Sequence, residues 1–430
     1  MKIAVAGTGY VGLVTGVCLA EKGHHVTCVD IDDEKVKMME AGVSPIYEED
    51  LEAMMIKNYR AGRLLFTTEY REAYEQAEVI MIGVGTPENP DGSANLAYVY
   101  EVAKQIAESL CQDCIIVIKS TVPIGTNKLV EAYIKDHLKN NVSVEVASNP
   151  EFLSQGTAVK DTLHAHRIVI GTVSQSTTEK LENMYEPFSI PIVAVSRESA
   201  EMIKYASNDF LALKISYMND IANLCEKVGA NVDEVAKGMG YDPRIGNKFL
   251  KAGCGYGGSC FPKDTKALHY LAGQNGYELK TVKAAIEVNR YQKTILLEKA
   301  HQVYQSFDGK KVAVLGLTFK PGTDDLREAP AIACIELLLK ENAVVKAYDP
   351  VGMPNFKKKF PNEIQYASSA YEALADACIC FIFTEWKEFK DMEPQIFKKY
   401  MKKAVVADGR NLFDIKTMDE QGITYLSIGR

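Results

Sequence analysis

Hydrophobic and polar positions alternate along the first half of the chain in the manner of βα units. Short apolar runs, mostly β-branched, are each followed by turn residues and a longer amphipathic stretch, which predicts a parallel sheet covered by helices. The predicted strands cover residues 3–6, 25–29, 79–84, 115–119, 144–148 and 168–171.

Near residue 197 the period of the pattern changes to that of a long helix. From there until Gly229 no Gly or Pro occurs, and apolar side chains recur at helical spacing: Met202, Ala206, Phe210, Leu213, Tyr217, Ile221 and Leu224. Further helices are predicted over 232–239, 264–271 and 282–300, with a glycine-rich loop between the first two.

The opening pattern returns at Lys310, with predicted strands at 312–315, 345–348, 379–383 and 404–407. The predicted fold class is therefore α/β, with two Rossmann-like doubly wound domains joined by a helical central domain that contains a long helix. The expected boundaries are 1–196 for the first domain, 197–300 for the central domain and 301–430 for the C-terminal domain. Long central helices often form contacts between subunits, so a homodimer or higher homo-oligomer is expected by analogy of fold.

The composition and net charge of the chain exclude some classes of binding partner. The chain has 430 residues, 47% of them hydrophobic, and a formal net charge of −8. Nucleic acids and anionic membranes attract basic surfaces, so neither is expected as a partner. No apolar run approaches the roughly 20 residues that span a bilayer.

The cysteines and the N-terminal residues indicate the cellular compartment. The ten cysteines are widely spaced, unlike a secreted disulfide framework, which predicts reduced thiols in a cytoplasmic protein. The Cys111-x-x-Cys114 pair has no second pair or nearby histidines, so no metal site is expected. Glycines at 7, 9, 12 and 16 would break a signal helix over the apolar residues 3–20.

Gly7, Gly9 and Gly12 form a G-x-G-x-x-G motif that follows the first predicted strand and opens a helix. In that context the glycines permit a tight turn, the approach of a pyrophosphate to the helix start, and close packing of helix on strand. Asp30 ends the second strand at the distance expected for a carboxylate that binds the ribose hydroxyls. The expected cofactor is NAD rather than NADP.

A second glycine-rich segment places Cys260 at the apparent start of a helix, before Lys263 and Asp264. Exposed N–H groups and the helix dipole stabilise a thiolate there, so Cys260 is a candidate nucleophile. Lys204 and Asn208 lie four residues apart, on one face of the long helix, where an ammonium and an amide can bind one oxygen. Glu151 follows a strand of the first sheet, at the edge where ligands gather.

In order along nearly the whole chain, these segments resemble the UDP-glucose dehydrogenase family within the sugar-nucleotide 6-dehydrogenases. The resemblance rests on the nucleotide motif and on the segments VGTP (84–87), KSTVP (119–123), NPEFL (149–153), GYGGSCFPKD (255–264), GLTFK (316–320) and DGRN (408–411). It implies oxidation of UDP-glucose to UDP-glucuronate with NAD. One departure is Gln155, where many members carry a glutamate.

The resemblance also implies roles for individual residues. Catalytic roles would belong to Cys260 as nucleophile, to Asp264 and Lys204 for protons and oxyanions, to Asn208 as hydrogen-bond donor, to Glu151 in hydrolysis and to Thr121 in ordering water. NAD would contact Gly7, Gly9, Tyr10, Val11, Gly12, Asp30, Lys35, Thr86, Thr121, Lys263 and Arg327. UDP-glucose would contact Glu151, Phe152, Leu153, Lys204, Asn208, Phe249, Lys251, Gly257, Cys260, Phe319, Lys320 and Arg410, with Arg244 reaching the site of a neighbouring subunit.

Three alternative functions stay open at this point. The same thiol chemistry could act on another sugar nucleotide, GDP-mannose or UDP-N-acetylmannosamine, although Phe261 and the FPKD segment favour UDP-glucose. A two-electron β-hydroxyacid dehydrogenase would also carry Lys and Asn on a long helix, but it leaves Cys260 and the C-terminal domain unexplained. A sensor without catalysis would have no use for a nucleophile beside a cofactor motif.

Overall fold

A mostly parallel eight-stranded sheet forms the centre of the N-terminal half in the computed structural model, which describes residues 1–430. Its order is β3-β2-β1-β4-β5-β6-β7-β8, and only the β6–β7 pair is antiparallel. The strands are β1 (Lys2–Ala6), β2 (His25–Val29), β3 (Leu64–Thr67), β4 (Val79–Ile82), β5 (Cys114–Ile118), β6 (Val144–Ser148), β7 (Ile168–Gly171) and β8 (Ile192–Val195).

Helices cover both faces of this sheet. They are α1 (Tyr10–Glu21), α2 (Asp33–Glu40), α3 (Leu51–Arg60), α4 (Tyr70–Glu75), α5 (Ala97–Ser109), α6 (Thr126–His137), α7 (Ala158–Leu163) and α8 (Gln175–Tyr185), the last followed by a 3-10 turn at Glu186–Phe188. Successive residues of a strand point to opposite faces, so Ile3 and Val5 enter one core while Ala4 and Ala6 enter the other. Burial on both faces explains why these strands read as continuous apolar runs.

The long helix α9 spans Arg197–Val228, as its periodicity predicts. Its buried face carries Tyr205, Ala212 and Met218 together with several polar side chains. Most of the apolar residues that predicted the helix lie on the other side: Phe210, Tyr217 and Leu224 are 60%, 51% and 52% exposed. The spacing of the apolar residues therefore predicted the helix correctly, but these residues form an exposed apolar ridge rather than the face that packs in the core.

A second sheet, of six parallel strands in the order β11-β10-β9-β12-β13-β14, organises the C-terminal part. Its strands are β9 (Lys311–Leu315), β10 (Val344–Tyr348), β11 (Gln365–Tyr366), β12 (Ile379–Ile382), β13 (Val405–Asp408) and β14 (Thr424–Leu426). This order and that of the first six strands of the N-terminal sheet follow one doubly wound scheme, with the middle strand first in sequence.

The helices after α9 belong to the same C-terminal half. They are α10 (Val232–Gly240), α11 (Phe261–Gln274), α12 (Lys280–Gln292), α13 (Ile295–His301), α14 (Pro330–Lys340), α15 (Met353–Lys359), α16 (Ala370–Leu374), α17 (Lys387–Lys390), α18 (Gln395–Tyr400) and α19 (Ile415–Glu420). One core joins Met218 and Ala222 of α9 and Leu296 of α13 to Val312 and Val314 of β9.

Contacts divide the chain into two compact units, Met1–Ser207 and Asn208–Arg430. The prediction of one helix over 282–300 was wrong, because two helices cover this range: α12 ends at Gln292 and α13 begins at Ile295. The sequence pattern also missed β3, β8, β11 and β14. None of the helices combines the length and the apolar character needed to cross a membrane.

Candidate active site

The turn between β1 and α1 is built so that only one of its three motif glycines faces open space. Gly7 has φ 93° and donates its N–H to Val29 O at 2.8 Å. A Cβ on Gly12 would lie 2.0 Å from Gly7 O, so α1 packs against the turn without room for a side chain. A Cβ on Gly9, which caps α1, would meet nothing within 4 Å. The free space at a helix start fits the pyrophosphate of a dinucleotide.

Asp30 lies at the carboxyl end of β2, next to this turn, and is 9% exposed. Its Oδ2 accepts hydrogen bonds from Thr8 N, at 2.9 Å, and from the Thr8 hydroxyl. Its Oδ1 accepts from Asp32 N at 3.0 Å. These donors orient the carboxylate, whose remaining lone pairs can accept from ribose hydroxyls.

The other predicted NAD contacts of this unit lie at its strand ends and on its first two helices. Thr86 follows β4 and donates its hydroxyl to Thr121 O, after β5, at 2.8 Å, so these two residues meet. Tyr10 and Val11 form the first turn of α1, and Lys35 lies in the first turn of α2, where its N–H donates to Asp32 Oδ1 at 3.3 Å.

Glu151 and Lys204 form a buried ion pair within the N-terminal unit. Lys204 Nζ lies 2.7 Å from Glu151 Oε1, and their side chains are 3% and 6% exposed. Glu151 Oε2 accepts the N–H of Leu153 at 2.8 Å, which closes a tight turn. Phe152, within that turn, places its ring 5.6 Å from Lys204 Nζ. The structure thus joins four residues that sequence reasoning had selected from segments about fifty positions apart.

The loop before α11 is held by close backbone contacts in the C-terminal unit. A Cβ on Gly257 would lie 2.5 Å from Glu328 O, and one on Gly258 would lie 2.8 Å from the Phe319 ring. Gly258 N donates to Arg327 O at 2.7 Å. Cys260 caps α11 as predicted and is partly exposed. A thiol at a helix N-terminus that remains accessible suits nucleophilic chemistry.

Asp264 lies one turn into α11 and is 1% exposed. Asn208 Nδ2 donates to its Oδ2 at 2.7 Å, and Lys263 Nζ to its Oδ1 at 2.6 Å. Its own N–H donates to Cys260 O at 2.8 Å. Asp264 is therefore a fixed carboxylate on the same helix turn as the candidate nucleophile, and Asn208 contacts it.

Basic side chains of the predicted substrate group gather after β9 and β13. Arg410 Nε donates to Phe383 O at 2.7 Å and its Nη2 to Phe319 O at 3.2 Å. Lys320 Nζ lies 5.6 Å from the Phe319 ring. Strand ends of a parallel sheet are where ligands bind, so this cluster can take an anionic ligand.

Four further predicted residues are less enclosed. Arg244 is 87% exposed and bonded to its neighbour Asp242, and Arg327 is 61% exposed and paired with Asp325. Phe249, with φ 64° and 40% exposure, places its ring 6.4 Å from that of Phe261. Lys251 is exposed.

Sequence reasoning missed Asp209, which follows Asn208 on α9. Its side chain is 4% exposed, and neither carboxylate oxygen has a hydrogen-bond partner. Burial and then the charge of Asp264 raise the pKa of Asp209 to about 8. The only signal in the sequence was an acid next to Asn208 in the predicted helix, and without the fold such an acid cannot be told from a solvated one.

We expect Asp209→Asn to stabilise the protein increasingly as the pH rises. In the unfolded chain an aspartate has a pKa of about 3.9. Between that value and the folded value of about 8, only the folded state holds the proton, so folding stability falls as the pH rises through this interval. The variant lacks this penalty, and its advantage in unfolding free energy should grow by a few kcal/mol, as an order of magnitude, from about pH 5 to about pH 8.

Urea unfolding of both proteins across this pH range measures the effect. Asp220→Asn, at an exposed position of the same helix, is the matched control and should show no such trend. An advantage of Asp209→Asn that stays constant with pH would contradict a neutral buried acid.

Comparison with known proteins adds to this geometry. Sequence models of the UDP-glucose/GDP-mannose dehydrogenase family match throughout: the NAD binding domain at 1–189, the central domain at 198–291 and the UDP binding domain at 313–415. A UDP-glucose 6-dehydrogenase of Bacillus subtilis is 48% identical over 430 residues, which is 100% of this chain and 98% of that protein.

Solved structures agree in fold. A UDP-glucose dehydrogenase from the archaeon Pyrobaculum islandicum is 35% identical, with a TM-score of 0.93 over 99% of this chain and 96% of its own. A UDP-D-ManNAc dehydrogenase from Pyrococcus horikoshii is 28% identical, with a TM-score of 0.89 over 100% of this chain and 99% of its own.

Proposed function

The chain belongs to the UDP-glucose/GDP-mannose dehydrogenase family, and from that premise we propose that it oxidises the primary alcohol of UDP-glucose to a carboxylate, using two molecules of NAD. The observation that carries this proposal is Cys260 at the start of α11, with Asp264 one turn later. Oxidation of an alcohol to an acid removes four electrons in two steps, and the aldehyde between them must be retained. A thiol retains it covalently.

The first half of the reaction makes and traps the aldehyde. NAD, when bound, accepts one hydride per molecule. As the hydride leaves the alcohol carbon, Asp264 accepts the hydroxyl proton. Cys260, as thiolate, then adds through Sγ to the aldehyde carbon, and the oxyanion formed in this addition is stabilised by the Lys204 ammonium and the Asn208 amide. Asp264 returns its proton to that oxyanion, which gives the thiohemiacetal.

The second half releases the acid. A second hydride leaves the thiohemiacetal carbon, Asp264 again accepts the hydroxyl proton, and a thioester remains on Cys260. Glu151 takes a proton from a water molecule, held with the help of Thr121, that attacks the thioester carbonyl. The carbon–sulfur bond breaks, Cys260 leaves as thiolate, and the carboxylate product is free. The ion pair with Lys204 holds the Glu151 carboxylate in a fixed position.

Most binding roles are divided between the two halves of the chain. We assign the Gly7–Gly12 turn, Asp30, Lys35, Thr86 and Thr121 to NAD, together with Lys263 and Arg327, and assign Lys320, Arg410, Phe319 and Gly257 to the uridine diphosphate sugar. Phe152, Leu153, Phe249 and Lys251 complete the substrate group, and Arg244 is assigned to a neighbouring subunit's site. The corresponding functional divisions are 1–196, 197–300 and 301–430.

Relatives support UDP-glucose over other sugar nucleotides. The B. subtilis and P. islandicum proteins named for UDP-glucose are 48% and 35% identical to this chain, whereas the P. horikoshii protein named for UDP-D-ManNAc is 28% identical. A two-electron hydroxyacid dehydrogenase would leave both Cys260 and the sheet of β9–β14 without a use.

We also propose a homodimer in the cytoplasm. The exposed ridge of Phe210, Tyr217 and Leu224, spaced seven residues apart on α9, supports burial against a second copy. All ten cysteines are free, which suits a reducing compartment. The net charge of −8 argues against nucleic acid as a partner.

A panel assay tests the function. Purified protein is incubated with NAD and, separately, UDP-glucose, UDP-N-acetylmannosamine or GDP-mannose, and NADH and sugar product are counted. We expect two NADH per UDP-glucuronate and much slower turnover of the other sugars. NADP should be a poor substitute, because Asp30 repels a 2′-phosphate. One NADH per molecule of sugar, or a preference for another sugar, would refute the proposal.

A further inference from the structure

Lys119 anchors the segment that leads to Glu151. It follows β5 directly, is 8% exposed, and donates from Nζ to Asn149 Oδ1 at 3.0 Å. The Tyr185 hydroxyl donates to the same oxygen at 2.5 Å, and Asn149 Nδ2 donates to Val169 O at 2.7 Å. Three hydrogen bonds to residues of the N-terminal unit thus fix the side-chain amide of Asn149, two residues before Glu151.

Lys119 and Glu151 also share a cavity. Its volume is about 190 Å³, and its wall includes Lys119, Asn149, Glu151, Phe152 and Tyr185. Around the Glu151 carboxylate lie two buried lysines, Lys119 and Lys204. When both lysines are protonated, the three groups carry one net positive charge.

The proton on Lys119 is weakly held. Burial lowers the pKa of Lys119 to about 8; the charge of Glu151 opposes this effect and the charge of Lys204 adds to it. Burial also raises the pKa of Cys18 to about 12, so that thiol stays neutral. The other titratable or charged side chains on the cavity wall are Asp161, His164, His166, Arg167 and Tyr185.

We propose that Lys119 is a positioning residue for the hydrolytic step: its ammonium fixes Asn149, and through it the turn that carries Glu151, and supplies the excess positive charge beside that carboxylate. This inference rests on the proposed function, in which Glu151 activates water. Lys119 exchanges no proton with the substrate. Its charge stabilises the oxyanion that forms when water attacks the thioester.

Three variants separate charge from packing. Lys119→Met keeps an unbranched side chain of similar length without the charge, and Lys119→Arg keeps the charge at every working pH. Tyr185→Phe removes the other hydrogen bond to Asn149 Oδ1 without changing charge. Each is mixed with NAD and UDP-glucose, and NADH, UDP-glucuronate and the acylated Cys260 peptide are followed after rapid quench.

We expect Lys119→Met to slow thioester hydrolysis by about ten-fold or more while both hydride transfers change little. Acylated Cys260 and a burst of about two NADH per site should then appear. Tyr185→Phe should slow hydrolysis by less than about threefold, with no change in its pH profile. The hydrolysis rate of Lys119→Arg divided by that of the wild type should rise between about pH 7 and about pH 9, because only the lysine loses its charge there.

An unchanged rate of thioester hydrolysis in Lys119→Met would overturn the inference. It would also be overturned if Lys119→Met and Tyr185→Phe slowed hydrolysis equally and the rate ratio of Lys119→Arg to wild type did not change with pH, because Lys119 would then act through packing alone. These results leave the proposed function intact. A wild-type protein that forms no NADH from UDP-glucose would refute the proposed function, and the role of Lys119 with it.

Discussion

Replacing Cys260 with alanine should lower formation of UDP-glucuronate by about 10⁴-fold or more. Without the thiol there is no covalent thiohemiacetal, so the second hydride has no trapped donor and no thioester forms. Any residual NADH should not exceed one per sugar and should be accompanied by the aldehyde. Quenched reactions resolved by chromatography, with NADH read by absorbance, measure all three products.

Cys111→Ala is the matched control, because Cys111 is an exposed free thiol outside the candidate site. It should retain wild-type stoichiometry. Efficient formation of the carboxylate by Cys260→Ala would show that the aldehyde is oxidised as its hydrate, and the assignment of the nucleophile would have to be withdrawn.

Glu151→Gln should convert the enzyme into one that acylates itself and then stalls. The amide cannot take a proton from water, so hydrolysis should slow by about 10²–10⁴-fold while the hydride transfers continue. NADH should appear as a burst of about two per active site, followed by slow turnover. Intact-protein mass spectrometry after a rapid quench should show a UDP-glucuronyl adduct, mapped to Cys260 by its peptide.

The double variant Glu151→Gln, Cys260→Ala is the control and should lack the adduct. An adduct on another cysteine would overturn the nucleophile. Acylation of Cys260 without accumulation would move the hydrolytic role from Glu151 to Asp264 or to water held by Thr121.

Sequence reasoning predicts this fold well because its elements have strong local signals. The Gly7–Gly12 turn follows an apolar strand, and α1 begins where the motif places it. Short strands with weak signals were missed, such as β11, which has two residues. The apolar ridge of α9 gave the correct helix but said nothing about which face is buried, because the buried face is lined partly by polar groups such as Lys204 and Asn208.

The site was predictable only where a motif carried it. Cys260 and Asp264 are four residues apart, so one helix turn joins them whatever the rest of the chain does. Asn208 and Asp264, or Lys119 and Asn149, are bonded across 56 and 30 positions, and only the fold brings them together. The raised pKa of Asp209 depends on burial and on the charge of Asp264, which is far away in sequence, and the local sequence encodes neither.

The hydrogen bonds at Asp30 bear on attempts to engineer the choice of cofactor. Thr8 gives this carboxylate both its N–H and its hydroxyl, and Asp32 gives an N–H, so the side chain is part of the structure of the turn as well as a candidate contact for ribose. Replacing Asp30 alone to admit a phosphorylated ribose leaves the two buried donors of Thr8 without this acceptor. A successful redesign therefore has to change Thr8 and Asp30 together, and the exposed neighbour Ile31, at 83% exposure, is the natural place to add the arginine that the phosphate requires.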